Sequence, residues 1–229
     1  MKTDQSFPSI LAPLSPIGLE PPGDLLVTIV DDDASMREAL SELLISAGLK
    51  PMAFASTREL LESDALDSPG CLVLDVRMPG ASGLDLQHHL VQIGKAKPII
   101  FITGHGDIPM SVQAIKAGAI DFLTKPVRPQ TFLDAVNRAL ATDALRRSEE
   151  EERIRAQECY EALTLRERQV LRGVVTGFLN KQIAFELGIS EVTVKVHRTG
   201  MMRKMGATSV AQLLLRWQAV PPHIREERQ

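Results

Sequence analysis

Cysteine is nearly absent: the 229-residue chain carries Cys71 and Cys159 and no others. They lie far apart and form no C-x-x-C pair, which excludes a disulfide scaffold or a cysteine-rich zinc site and fits a reducing compartment. No apolar run approaches the roughly 18 residues of a membrane span. Lys2 is the only early cation and proline breaks the first apolar stretch, so the N-terminus does not read as a secretory signal. The expectation is a cytoplasmic protein with no membrane partner. No internal repeat is found. No G-x-G-x-x-G follows the first apolar run, which argues against a nucleotide-binding fold.

The composition is that of an ordinary globular chain, 44% apolar and 24% charged. Its length suits one or two domains. The net charge of −3 hides an asymmetry: residues 24–140 sum to −5, residues 141–161 to −3 and residues 162–220 to +6. An acidic first half followed by a small basic unit predicts two tasks, the second beside nucleic acid.

Residues 1–23 hold Pro8, Pro13, Pro16, Pro21 and Pro22 without periodicity and read as a flexible or partly extended arm. From residue 24 short apolar runs alternate with amphipathic stretches. Strands are expected at 25–30, 50–54, 71–74, 98–102 and 120–123. Helices are expected at 34–47, 56–65, 83–93, 107–117 and 129–140. This alternation predicts an α/β doubly wound, five-stranded parallel sheet. Residues 141–161 lack glycine and proline and read as a charged helix, a solvated spacer or a dimer seam. The last unit reads as all-α, with helices at 165–176, 181–187, 191–205 and 208–219. Thr164 (with Glu167 as a capping box), Asn180 and Ser190 are the expected caps. The expected domains are an arm at 1–23, the sheet domain at 24–142, a helical linker at 143–161, a four-helix domain at 162–220 and a tail at 221–229.

In such sheets the ligand crevice lies at the carboxyl ends of the strands. There the sequence places Asp31, Asp32 and Asp33, then Asp75, Thr103 and Lys125. Clustered carboxylates raise one another's pKa unless a cation joins them. A hard divalent cation, Mg²⁺ above all, suits oxygen ligands. A lysine and a hydroxyl add donors suited to phosphate oxygens. The set fits a carboxylate nucleophile taking a phosphoryl group. Asp33 alone reads as a helix cap. His88 and His89, adjacent on one helix, point in different directions and make no metal pair. Met78 and Pro79 read as loop packing, and Gly80 and Gly83 as turn residues.

Four segments, VDDD at 30–33, LDVRMPG at 74–80, FITGHGD at 101–107 and DFLTKP at 121–126, resemble the CheY-like receiver of two-component response regulators. The resemblance implies a flavodoxin-like receiver with Asp75 as phospho-acceptor. It implies Mg²⁺ on Asp31, Asp32, Asp75 and the Arg77 main-chain carbonyl. It further implies that Thr103 reorients toward the phosphoryl group, that Lys125 pairs with it, that Phe122 is the aromatic switch, and that Lys125–Pro126 is cis. His105 is expected to tune phosphoryl lifetime. A phosphohydrolase of the haloacid dehalogenase kind would carry a second acid two residues after the nucleophile, where this chain has Arg77.

In the basic unit a short helix, a turn at Gly188 and a longer helix suggest helix-turn-helix DNA binding. LTLRERQVL at 163–171, NKQIAFELGIS at 180–190 and TVKVHRTGMMRKMGATS at 193–209 resemble the LuxR-type domain. The resemblance implies base contacts from Lys195, Val196 and Thr199. It implies backbone contacts from Thr193, Lys181, His197, Arg198 and Arg203. Val192, Val194 and Met201 are expected to face inward or sideways. Gly200 inside this helix costs roughly 1 kcal/mol relative to alanine and leaves open either fraying or a close backbone approach.

The whole chain is thus identified as a member of the FixJ/NarL group of response regulators, nearest the FixJ branch. This implies a phospho-accepting transcription regulator rather than an enzyme. Its partners would be a sensor histidine kinase, double-stranded promoter DNA and RNA polymerase, with homodimerisation on phosphorylation and activation of transcription. The alternative is a phosphorylation-independent DNA-binding regulator that uses the receiver only to dimerise.

Overall fold

Among the described residues, five short strands pair in parallel in the order β2-β1-β3-β4-β5: β1 (Leu26–Val30), β2 (Lys50–Phe54), β3 (Gly70–Asp75), β4 (Ile99–Thr103) and β5 (Asp121–Thr124). The computed structural model describes residues 25–104 and 108–225. The expected arm and His105 lie outside the described residues. By contact the chain divides into two units, residues 1–143 and 144–229.

In the first unit β1, β3 and β4 are buried along their whole length. A sheet covered on both faces needs such continuous apolar runs. Helices α1 (Ala34–Ser46), α2 (Thr57–Leu61), α3 (Gly83–Gln92) and α4 (Ile108–Lys116) join the strands, and α5 (Pro129–Glu161) follows the sheet. One apolar layer gathers Leu60, Leu72, Leu74, Leu90 and Phe101. The other gathers Ile29, Leu44, Ile100, Ile102 and Phe132.

β3 and β4 each run one residue further than expected, so Asp75 and Thr103 are themselves strand residues. Register does the rest. Val30 pairs with Leu74, which sets Asp31 beside Asp75; Asp75 pairs with Ile102, and Thr103 with Thr124, the residue before Lys125. The strand order reverses between β1 and β3, the place where such sheets bind ligands. The helix expected at 56–65 is broken. Ser56 caps α2, and Ser63 caps a separate 3-10 turn at Asp64–Leu66, its hydroxyl accepting from the Ala65 N–H.

The second unit holds α6 (Leu165–Val175), α7 (Asn180–Leu187), α8 (Glu191–Lys204), α9 (Val210–Ala219) and a short α10 (Pro222–Arg225), which was not expected. Its core joins Val170, Leu171, Ile183, Val194, Met201, Met205 and Leu213. Ala156 and Tyr160 at the end of α5 belong to the same core. The Tyr160 ring lies 5.6 Å from that of Trp217, and the Arg168 guanidinium lies 4.8 Å over it. The segment read as a spacer therefore supplies core to the unit that follows it. No helix among the described residues is long and apolar enough to cross a membrane.

Candidate functional site

Asp31 and Asp75 are buried at neighbouring strand ends, and Asp32 is exposed beside them. Carboxylate oxygens of the three lie within 4.8 Å of one another. Lys125 Nζ bridges the buried pair, 2.7 Å from Asp31 Oδ2 and 2.6 Å from Asp75 Oδ2. The other oxygens take backbone donors: Asp31 Oδ1 accepts from the Asp33 N–H and Asp75 Oδ1 from the Arg77 N–H, both at 2.9 Å. Burial raises the Asp31 pKa despite the opposing pull of Lys125 and the Asp33 N–H. Burial pulls the Lys125 pKa down, but its two carboxylate partners more than offset this and hold it above the usual lysine range. Three hard oxygen donors around so few cations suit a divalent metal ion.

Thr103 is fully buried at the end of β4, and its carbonyl accepts from the Lys125 N–H at 2.8 Å. Phe122 on β5 is half-buried with its ring 6.4 Å from that of Phe101. The Lys125–Pro126 bond is cis. Arg77 is exposed at the rim, and Met78 is buried below it. Asp33 caps α1, accepting from the Ser35 and Met36 N–H groups, and so faces its own helix.

In the second unit α7 ends at Gly188 in the left-handed conformation, φ +63°, and Ser190 caps α8. Lys181, Lys195, Val196, Thr199 and Arg203 are exposed; Thr193, His197 and Arg198 are half-buried. Val194 and Met201 face the core as expected, but Val192 is 70% exposed and lies on the outer face. Near 100° per residue, positions 192, 196, 199 and 203 share a stripe about 60° wide, opposite 194 and 201. Asn180 is not the cap of α7. Leu179 holds that position, its N–H donating to Gln182 Oε1, and the Asn180 side chain accepts from Arg198 Nη1 at 2.8 Å.

Residues 27–137 match the response regulator receiver domain, and residues 161–216 match the bacterial regulatory proteins of the luxR family. The chain is 50% identical over 189 residues to Nodulation protein W of Bradyrhizobium diazoefficiens, covering 82% of this chain and 83% of that one. Over 193 residues it is 42% identical to the transcriptional regulatory protein FixJ of Azorhizobium caulinodans, covering 84% and 92%. Among solved structures it is similar to the response regulator StyR, with a TM-score of 0.78 and 48% identity over 85% of this chain and 98% of that one. The chain belongs to the FixJ/NarL-type response regulators. As such a regulator it joins a receiver to a LuxR-type DNA-binding domain, and its relatives are transcription regulators.

Three of the regulator's residues take part at these sites without a clear sequence signal. Gly83, read as a turn glycine, opens α3 against the receiver acid: a Cβ there would meet the Asp75 carbonyl oxygen at 2.4 Å. Arg37 on α1 donates to the Asp31 carbonyl at 2.7 Å. Its only sequence signal is a cation one helical turn past the acids. Gly200 makes the close approach: a Cβ would meet Glu167 Oε1 at 2.6 Å. Glu167 is buried, and its Oε2 accepts from the Thr164 N–H, the Thr164 hydroxyl and Lys204 Nζ. Burial raises the Glu167 pKa, but Lys204 and Thr164 outweigh it and keep the carboxyl below the usual range.

Proposed function

We propose that this chain is a phosphorylation-dependent transcription regulator in which Asp75 accepts a phosphoryl group from a sensor histidine kinase. The observation that carries the reading is the Lys125 ammonium held between Asp31 and Asp75. Asp75 Oδ1 is engaged by a backbone N–H, which leaves Oδ2, beside the lysine, as the attacking oxygen. The bond from phosphorus to Oδ2 forms as the bond from phosphorus to the donor imidazole nitrogen breaks. Lys125 then transfers its hydrogen bond from the carboxylate to a phosphoryl oxygen, a charge-assisted contact.

Asp31, Asp32 and Asp75, with the Arg77 main-chain carbonyl, are the residues that would hold Mg²⁺. When bound, that ion supplies positive charge that offsets the carboxylates and the transferring phosphoryl oxygens. Gly83 keeps room for α3 against the Asp75 carbonyl, and Arg37 anchors the strand end that carries Asp31.

Thr103 would turn its hydroxyl toward the new phosphoryl group and Phe122 would follow into the space released. Local charge thereby biases a two-state element. The face of α4, β5 and the start of α5 would then pair two copies. Exposed Val112 and Ile115 on α4 support that use. Two recognition helices would read half-sites about one DNA turn apart and recruit RNA polymerase, activating transcription in the cytoplasm. Lys195, Val196 and Thr199 would face bases. Lys181, Thr193, His197, Arg198 and Arg203 would face the backbone.

Intact mass after acetyl phosphate and Mg²⁺ tests the chemistry. Wild type is expected to gain one phosphoryl mass and Asp75→Asn none. Addition to both proteins would remove Asp75 as acceptor, and addition to neither would remove acceptance from small donors. Promoter DNA affinity that ignores the donor would favour a regulator independent of phosphorylation.

A further inference from the structure

We propose that Val192 and Val196 read thymine methyl groups, so that this regulator selects its half-site largely through apolar contacts. The inference rests on the DNA-binding reading above and specifies the chemistry of the sequence it selects.

Val192 and Val196 are 70% and 66% exposed on α8. Single exposed apolar residues are ordinary on protein surfaces. These two lie four residues apart, so their Cβ atoms are about 5–6 Å from each other on one helix face. β-Branched side chains also lower helix propensity, and at this exposure burial does little to offset that cost.

Three of the polar groups around them are already engaged. The Thr199 hydroxyl donates to the Lys195 carbonyl at 3.0 Å, which leaves its methyl group for outside contact. The Thr193 hydroxyl pairs with that of Ser190 at 2.8 Å. Arg198 is bonded to Asn180 at 2.8 Å. The outer stripe therefore begins with Val192, Val196 and a threonine methyl and ends at the cation Arg203, with Lys195 alongside it. Lys195 lies 3.7 Å from Glu191 in an exposed pair, an interaction weak enough to exchange for a phosphate or a guanine edge.

An apolar stretch with cations beside and after it, in a unit carrying excess positive charge, fits a polyanion with apolar groups recessed in a groove. In the DNA major groove the apolar group is the thymine C5-methyl. The Cβ spacing exceeds one base step of about 3.4 Å. Two thymines, on either strand, within two or three consecutive base pairs would meet the pair.

The test starts with selection from random-sequence duplex DNA by the full chain treated with acetyl phosphate and Mg²⁺. Each thymine of the selected half-site is then replaced singly by uracil, and affinity is read at fixed salt. Uracil keeps every hydrogen-bonding group and loses only the methyl. We expect a loss of about 3–5-fold at each of two positions, the range expected for one buried methyl, and none at the other thymines. Val192→Ala should abolish uracil sensitivity at one position and Val196→Ala at the other, with helicity by circular dichroism unchanged. Indifference to every uracil, or uracil sensitivity intact in both variants, would overturn the inference while leaving the DNA-binding reading in place. Selection that enriches no sequence would overturn both.

Discussion

Gly83 shows how a single absent atom holds the candidate acceptor in place. A Cβ at this position would lie 2.4 Å from the Asp75 carbonyl oxygen and 3.1 Å from the Phe101 ring. Backbone and buried aromatic cannot yield as a flexible side-chain tip can. Gly83→Ala is expected to destabilise the receiver by about 1–3 kcal/mol, the usual cost of overpacking, and to slow phosphoryl uptake. Urea unfolding and the time course of intact mass would read the two effects. Unchanged values in both would show that α3 can shift without moving Asp75. Position 83 was legible in the sequence as a turn but not as a close approach, because its partner is the strand end on the other side of the β3–α3 loop. Gly200 was half legible: its helix-propensity cost was plain, but its reason, the Glu167 carboxylate, belongs to another helix. Val192 defeated a local reading because an apolar residue on an amphipathic helix is assigned inward by default. The acids, Thr103 and Lys125 were legible because each follows a short apolar run whose parallel pairing aligns the strand ends.

At the scale of elements, α5 is where the sequence said least. Residues 129–140 show an apolar stripe and 141–161 show mainly charge, so the sequence predicts a boundary after residue 142 and places Asp143 in the linker. Asp143 is instead fully buried, and its Oδ2 accepts from the Gly70 N–H at 2.9 Å. Gly70 stands at φ +137°, where an added Cβ would overlap the Leu26 carbonyl. The bond therefore ties α5 to the start of β3, the strand that ends in Asp75. Asp143→Ala would leave a buried N–H without its acceptor, a loss of about 1–3 kcal/mol. The expected result is a lower urea midpoint by circular dichroism, with intact-mass phosphorylation of the folded protein unchanged. A phosphorylation defect at full stability would instead place Asp143 in the machinery of the site. No periodicity marks such a residue, since one buried carboxylate at the edge of a charged stretch follows from a tertiary partner 73 positions away.

For the whole molecule, Asp31 in the first unit and Glu167 in the second, both buried carboxyls, should answer acid with opposite signs. Glu167 has its folded pKa held below the ordinary 4.5, after burial is outweighed by Lys204 and Thr164. Its contribution is present above that value and is lost as pH falls through the folded pKa. Asp31 is raised above 3.8 by burial, so its contribution is complete below 3.8 and is lost as pH rises through its folded value. Burial therefore opposes ionisation of Asp31 in the folded receiver, and a cation at the acid cluster relieves that cost by binding the folded state. Trp217 is the sole tryptophan and sits in the second core, so its fluorescence reports that unit alone. Lowering pH from 6 to 3.5 is expected to reduce the urea midpoint seen by Trp217, and Glu167→Gln should flatten that slope. Mg²⁺ at pH 7 should raise the receiver midpoint by circular dichroism and leave the Trp217 midpoint in place, and Asp31→Asn should weaken the response. A Trp217 midpoint indifferent to acid in wild type would show that Lys204 and Thr164 do not hold Glu167 ionised. A Mg²⁺ response intact in Asp31→Asn would remove that carboxylate from the cation's ligands.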